Sequence, residues 1–359
     1  MRLVVLGLSL SSSWGNGHAT TYRALLAAFA ARGHDIVFLE RDVPWYAGAR
    51  DLRYPGFCRL AFYSDLAALD AWRAEIAAAD AVMVGSYVPD GVDVGRFVQD
   101  HAQGITAFYD IDTPVTLASL AAGNCDYLSR EIIPGYDLYL SFTGGPTLDL
   151  LETRYGARAA RPLYCSADGE AYRPLGGAKR WDLSYLGTYS PDRQATLERL
   201  LIAPARALPD RRFVVAGPRF PDGIDWPGNV ERIDHVPPGD HAAFYSASRY
   251  TLNVTRADMI LAGWSPSIRL FEAAACGTAI ISDTWAGLDT LFQPDSEIIL
   301  ADTAGQVMDW LATDGGDIGL AARRRVLAGH LASHRAAVLE RYFMDALAAR
   351  PRAGTAAAR

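Results

Sequence analysis

His18 stands directly after Gly15, Asn16 and Gly17, where a short apolar run gives way to a helical pattern opening Ala19-Thr20-Thr21. An imidazole titrates near neutral pH, so His18 could take the proton of an attacking hydroxyl; it could equally cap the loop before the helix. Tyr109-Asp110-Ile111-Asp112-Thr113-Pro114 carries two carboxylates two residues apart, able to orient hydroxyls, act as a base or hold a divalent cation. Asp112 also stands where it could cap a helix entered at Pro114. Thr143 and Gly144, within a Ser-Phe-Thr-Gly-Gly-Pro stretch, could hydrogen-bond an acceptor or a phosphate, although a strand-to-helix turn needs the same residue types. Asn16, Gly17, Thr143 and Gly144 form the expected acceptor side.

The C-terminal half offers an anion site. Gly187 and Thr188 close one apolar run, and Arg193 follows at the start of a helical pattern. A guanidinium there can grip a diphosphate bidentately, or pair at the surface with Asp192 or Glu198. Gly217 and Arg219 end the next run in the same manner, and Arg256 ends another. Ser265, Ser267, Arg269 and Glu272 then lie in a loop and helix stopped by Gly277. Arg269 and Glu272, three apart, share a helical face. The carboxylate could accept hydrogen bonds from two ribose hydroxyls while loop N–H groups meet phosphate, or the pair could be a surface ion pair.

Positioning these groups requires strands that end where they stand. Short β-branched runs alternate with helical patterns throughout, which predicts parallel sheets with crossover helices. Strands are expected at 3–8, 35–39, 81–85, 105–109, 137–141 and 161–164, with helices over 20–32 and 65–79. A Gly- and Pro-containing stretch over 166–180 interrupts the rhythm. After it the pattern restarts with strands at 183–187, 213–216, 230–233, 250–254, 279–282 and 298–300, and a helix near Pro191. The expected organisation is a Rossmann-like domain over 1–170, a second over 180–330, a helix over 331–350 that could cross back to the first domain, and a frayed tail over 351–359. The fold class is α/β, with two doubly wound parallel sheets.

A length of 359 residues suits two cores, and with half the residues hydrophobic and 21% charged the chain is that of an ordinary folded protein. A net charge of −7, with a pI near 5.5, argues against nucleic-acid coats and anionic membranes as partners. Four cysteines, Cys58, Cys125, Cys165 and Cys276, lie far apart without a CxxC pair, so free thiols in a reducing compartment are expected. The first ten residues read as a buried strand rather than a leader, no run reaches the length of a membrane span, and the cytoplasm is the expected location.

Taken together, the C-terminal residues resemble the CgeB-like branch of GT-B glycosyltransferases, whose last domain ends in an R-x-F-E-x-x-A-C-G type segment followed by a strand. Here it reads Arg269-Leu-Phe-Glu272-Ala-Ala-Ala-Cys276-Gly277, then Thr-Ala-Ile-Ile-Ser-Asp283. The likeness covers roughly 180–300 well and the N-terminal half loosely. It implies GT-B architecture, two Rossmann-like domains facing a central cleft, with Glu272 binding the donor ribose and Arg193 with Arg256 or Arg269 facing the diphosphate. Retaining relatives carry an E-x7-E motif whose earlier position is Trp264 here, so neither stereochemistry nor donor sugar follows from it. The Asp110–Asp112 spacing resembles the DxD metal motif of the other large glycosyltransferase fold, but that fold's single-domain layout is missing, and no metal or cofactor is expected.

The expected reaction moves a sugar from a nucleotide-diphosphate sugar, with uridine the first guess and guanosine next, to an unidentified hydroxyl. Arginines replace a metal on the leaving diphosphate, and His18, Asp110 or Asp112 serves as base if configuration inverts. Competing readings are a nucleotide-sugar epimerase of the same fold and a non-catalytic nucleotide-sugar binding protein. A dehydrogenase is disfavoured because the GxGxxG fingerprint is incomplete.

Overall fold

The computed structural model describes residues 1–14 and 17–350. Asn16, and the expected tail over 351–359, lie outside the described residues. The chain divides into two compact units, Met1–Tyr164 with the segment from Ser333 onward, and Cys165–Ala332.

In the first unit, β1 (Arg2–Gly7), β2 (Asp35–Arg41), β3 (Arg59–Tyr63), β4 (Ala81–Gly85), β5 (Ile105–Asp110), β6 (Leu138–Ser141) and β7 (Ala160–Pro162) form one sheet in the order β3-β2-β1-β4-β5-β6-β7. Every pairing is parallel. The central strands are almost continuously apolar because helices cover both faces: Leu6 sits between Leu39 and Val84, all three fully buried. β3 lies outside the expected strands; it is an edge strand whose Leu60-Ala61-Phe62 run stays exposed or half-buried, with only Tyr63 buried.

The order reverses between β1 and β4, and ligands of open α/β sheets settle beyond the carboxyl ends of strands at that point. The long Ala332–Ala349 helix belongs to this unit. It is fastened by Phe343 edge-on to Phe29 and by the Tyr342 hydroxyl, which donates to the Pro162 carbonyl at 3.2 Å.

In the second unit, β8 (Trp181–Leu186), β9 (Phe213–Ala216), β10 (Val230–Ile233), β11 (Ser248–Asn253), β12 (Ala279–Ser282) and β13 (Ile299–Leu300) follow the order β10-β9-β8-β11-β12-β13, again all parallel. Its reversal falls between β8 and β11. Leu183, Tyr185, Leu252 and Ile281 build a separate core around those strands. Among the described residues no helix is long and apolar enough to cross a membrane, and all four cysteines are free.

Candidate active site

The reversal point of the second unit is occupied by Arg269. It projects from the first turn of the Ile268–Ala275 helix, and its Nε donates to the Leu186 carbonyl at 2.6 Å, the last residue of β8. Its Nη1 donates to Asn253 Oδ1 at 3.1 Å, the last residue of β11. One guanidinium thus spans the two strands that diverge there, with its carbon 5.0 Å over the Tyr185 ring. Asn253 is held from all sides: its Oδ1 also accepts from Ser267 Oγ at 2.8 Å, and its Nδ2 donates to Thr255 Oγ1 and Ser282 Oγ at 3.1 and 2.9 Å. Asp283 fixes the turn after β11 by accepting from the Thr255 amide and hydroxyl, and burial raises its pKa.

Gly187 and Gly217 are glycines for a steric reason. A Cβ on Gly187 would lie 2.6 Å from Arg269 Nη2, and one on Gly217, whose φ is +134°, would lie 2.1 Å from the Gly187 carbonyl. The loops after β8 and β9 are therefore interlocked beneath the guanidinium. Arg193 approaches the same place, its Nη2 donating to the exposed Thr188 carbonyl at 2.7 Å. Burial lowers its pKa and the positive charges of Arg269 and Arg256 lower it further, so the three arginines are electrostatic neighbours.

The surface-pair alternative for Arg193 does not hold. Glu198 pairs with Arg206 instead, at 2.5 Å, while Asp192 accepts from Ser190 and from the Ala257 amide. Arg193 and Arg256 each bury an Nε that meets no hydrogen-bond acceptor among the described residues. Such a cluster is costly without an anion, which suits it to a diphosphate. Ser265 is buried close by in sequence, and Ser267, at the helix N-cap, spends its hydroxyl on Asn253. Arg219 is not drawn in: it is exposed at φ +69°.

Glu272 lies one turn further along the helix and is 4% exposed. Its Oε2 accepts from the Tyr245 hydroxyl at 3.3 Å and faces His241 Nδ1 at 3.8 Å. Burial, then the Glu272 charge, drives the Tyr172 and Tyr245 hydroxyls above their ordinary pKa. The expected alternative of a surface pair between Arg269 and Glu272 is overturned, since both are buried and turn to different partners. Tyr245, His241 and Tyr172 carry no local signal of this kind, because they reach Glu272 from another helix, His241–Ser246, and from the connection before β8.

In the first unit, Gly17 opens the Gly17–Ala30 helix and His18 follows it, 8% exposed, at the reversal point. Burial lowers the imidazole from 6.5 to about 4, so it is neutral near pH 7, and its Nδ1 has no partner among the described residues. Its ring meets Tyr87 edge-on at 5.2 Å. Tyr87, just beyond β4, holds a left-handed φ of +63°, uncommon for an aromatic residue, and its hydroxyl donates to Asp112 Oδ2 at 3.3 Å. Asp112 is the N-cap of the Thr113–Ala122 helix but makes no side-chain cap bond.

Asp110 is wholly enclosed. Tyr139 Oη donates to it at 2.5 Å and Thr116 Oγ1 at 2.7 Å, and burial raises its pKa to about 6. It orders the end of β5, and the expectation that it could reach an acceptor hydroxyl fails on this burial. Thr143 is also fully buried, its amide and carbonyl engaged by Ser141 Oγ, while Gly144 leaves room for the Tyr164 hydroxyl, which would lie 2.0 Å from a Cβ there.

Glu40, at the end of β2, gave no sequence signal. It is completely buried and accepts from the Leu10 and Ser11 amides at 2.7 and 2.8 Å and from the Ser11 hydroxyl at 2.6 Å. Dinucleotide-binding sheets use an acidic residue in this region for ribose. Here the carboxylate is consumed in holding the loop after β1.

Residues 193–341 match the family described as glycosyl transferase-like, a span containing Arg193, Arg256, Arg269 and Glu272. A search of curated proteins finds no match. Among solved structures, sucrose-phosphate synthase from Thermosynechococcus elongatus is similar with a TM-score of 0.71 at 16% identity, covering 98% of this chain and 100% of that one. HepE from Anabaena, solved with UDP and glucose, gives 0.70 at 11% identity, over 96% of this chain and 100% of that one. An alpha-glucosyltransferase solved with UDP-glucose and DNA containing an abasic site gives 0.70 at 13% identity, over 96% and 99%. The chain therefore has GT-B architecture. The matched span begins at Arg193, covers most of the second unit and runs into the segment from Ser333 onward.

Proposed function

We propose that this chain is a glycosyltransferase that moves a sugar from a nucleotide-diphosphate sugar, a UDP-sugar first, to an acceptor hydroxyl. The observation that carries the reading is the convergence of Arg269, Arg193 and Arg256 at the strand reversal of the second unit, with Glu272 on the same helix as Arg269. A diphosphate answers the three guanidinium charges, and a ribose offers two hydroxyls to the carboxylate. The UDP and UDP-glucose held by the similar structures support uridine as the base, and the Arg269-Leu270-Phe271-Glu272 segment supports the CgeB-like branch.

In the proposed reaction the acceptor oxygen forms a bond to the anomeric carbon as the bond from that carbon to the β-phosphate oxygen breaks. The electron pair of the broken bond leaves with the nucleotide diphosphate, whose charge the arginines stabilise, so no metal is assigned. The acceptor proton passes to neutral His18 or to Asp112 if configuration inverts; Asp110 is left out on its burial. The free cysteines suit a reducing compartment, and the cytoplasm is the proposed location.

The test is calorimetric titration of the wild type and Glu272→Ala with UDP, GDP, ADP and TDP, with magnesium and with EDTA. Binding of UDP in EDTA that is lost in Glu272→Ala supports the reading; binding of none of the four refutes it. Incubation with UDP-sugars then separates transfer from epimerisation: a new epimer formed without any acceptor would replace the transferase reading with an epimerase.

A further inference from the structure

Glu272 is surrounded by three side chains from other parts of the second unit. Tyr245 Oη donates to Oε2 at 3.3 Å, and His241 Nδ1 stands 3.8 Å from the same oxygen. The Tyr172 hydroxyl is 3.3 Å from His241 Nδ1. The contacts from Tyr245 and His241 both fall on Oε2.

The opposite edge of the His241 ring fixes its proton. Nε2 lies 3.2 Å from the Val236 carbonyl, and a carbonyl only accepts, so Nε2 carries a hydrogen and donates to it. Nδ1 faces the Tyr172 hydroxyl, which itself hydrogen-bonds Glu272. Val236 belongs to the exposed loop that leaves β10 at the carboxyl end of the sheet, the end where ligands of such sheets bind. His241 is therefore the joint between that loop and the group around Glu272.

We propose that His241 is a positioning residue: by donating to Val236 on one side and holding Tyr172, which bonds Glu272, on the other, it aims the Glu272 carboxylate at the ribose hydroxyls of the donor nucleotide. This rests on the reading of Glu272 as the ribose ligand. His241 itself touches no substrate; its effect is confined to the ribose contact and leaves the arginines alone. A hydrogen bond to a charged group is at stake, so misaiming Glu272 lowers affinity about tenfold.

The test compares UDP with 2′,3′-dideoxy-UDP, which lacks the hydroxyls in question, by calorimetry on wild type, His241→Phe, Tyr172→Phe and Glu272→Ala. His241→Phe keeps a ring in the pocket and removes both nitrogens; Tyr172→Phe deletes one hydroxyl and serves should the first variant fail to fold. The expected result is a roughly tenfold loss for UDP with dideoxy-UDP unchanged in His241→Phe, and a smaller loss of the same selectivity in Tyr172→Phe. Equal losses for both ligands, or none, overturn the proposal. Glu272→Ala is the separate control: if its preference for UDP over dideoxy-UDP equals that of wild type, the ribose assignment itself has failed, whatever His241→Phe does.

Discussion

Arg269 and Glu272 stand three residues apart on one buried helix and do not pair: the guanidinium reaches back across the strand reversal to Leu186 and Asn253, and the carboxylate turns to Tyr245. Arg269 is thereby held by its own protein through Nε and Nη1. Replacing it by Lys keeps the charge and forfeits the planar fork, which cannot be rebuilt on a single ammonium. For Arg269→Lys the expected loss is about tenfold in UDP affinity with uridine affinity unchanged, read by calorimetry with the two ligands. An equal loss for uridine would mean that Arg269 supports the whole pocket instead of the diphosphate.

The two glycines beneath that guanidinium separate binding from folding. Gly187→Ala meets the ends of two side chains, Arg269 Nη2 at 2.6 Å and Tyr185 Oη at 2.9 Å, which can move. Gly217→Ala meets the Gly187 carbonyl at 2.1 Å from a backbone at φ +134°, and neither can. Gly217→Ala is expected to cost about 3 kcal/mol or more in the second unit. Gly187→Ala is expected to cost about 1 kcal/mol while displacing Arg269 and weakening UDP binding. Thermal unfolding beside calorimetry distinguishes them, and a stable Gly217→Ala would contradict the interlocked loops.

Alternating apolar runs made the two sheets legible because parallel strands buried on both faces need uninterrupted apolar residues, and strands such as 81–85 and 213–216 begin and end as the pattern predicts. The edge strand Arg59–Tyr63 was missed although Leu60-Ala61-Phe62-Tyr63 is an apolar run; no pattern of helices flanks it as it does the central strands, and only Tyr63 is buried. Spacing placed Arg269 and Glu272 on one helical face, but what covers a face is decided by distant segments, so spacing left open a surface pair where the structure has two buried groups with separate partners. Asp110 and Asp112 look alike in sequence. Their difference lies in Tyr139 and Thr116, which enclose the first alone. Glu40 and Tyr87 were illegible for the same reason: one is defined by loop amides about thirty positions away, the other by a backbone angle its residue type disfavours.

Glu40 offers a direct check on the first loop. Gln can keep an oxygen toward the Leu10 and Ser11 amides and turn its NH2 to the Ser11 hydroxyl, at the loss of charge; Ala leaves two buried amides without an acceptor. The expected costs are about 1 kcal/mol for Glu40→Gln and about 3 kcal/mol for Glu40→Ala. Urea unfolding measures both. Near-equal costs would show that the loop finds other acceptors.

Asp110 and His18 pull the stability of the first unit in opposite directions with pH. Burial raises Asp110 from 3.8 to about 6, so the stability it contributes is complete below pH 3.8 and is lost as pH rises through 6. Burial lowers His18 from 6.5 to about 4, so its contribution is complete above pH 6.5 and is lost as pH falls toward 4. Each amounts to about 3 kcal/mol at full extent, and from pH 4 to 6 the two slopes oppose. Asp110→Asn keeps the shape of the site and removes the carboxyl, leaving the His18 slope, so its stability relative to wild type should climb from pH 4 to 6. His18→Asn removes the imidazole and leaves the Asp110 slope, so its stability relative to wild type should fall over the same interval. Urea titrations at stepped pH read both differences. If the Asp110→Asn and wild-type curves run parallel, Asp110 ionises as an ordinary carboxyl, and the enclosure that separates it from Asp112 is not the one that acts in solution.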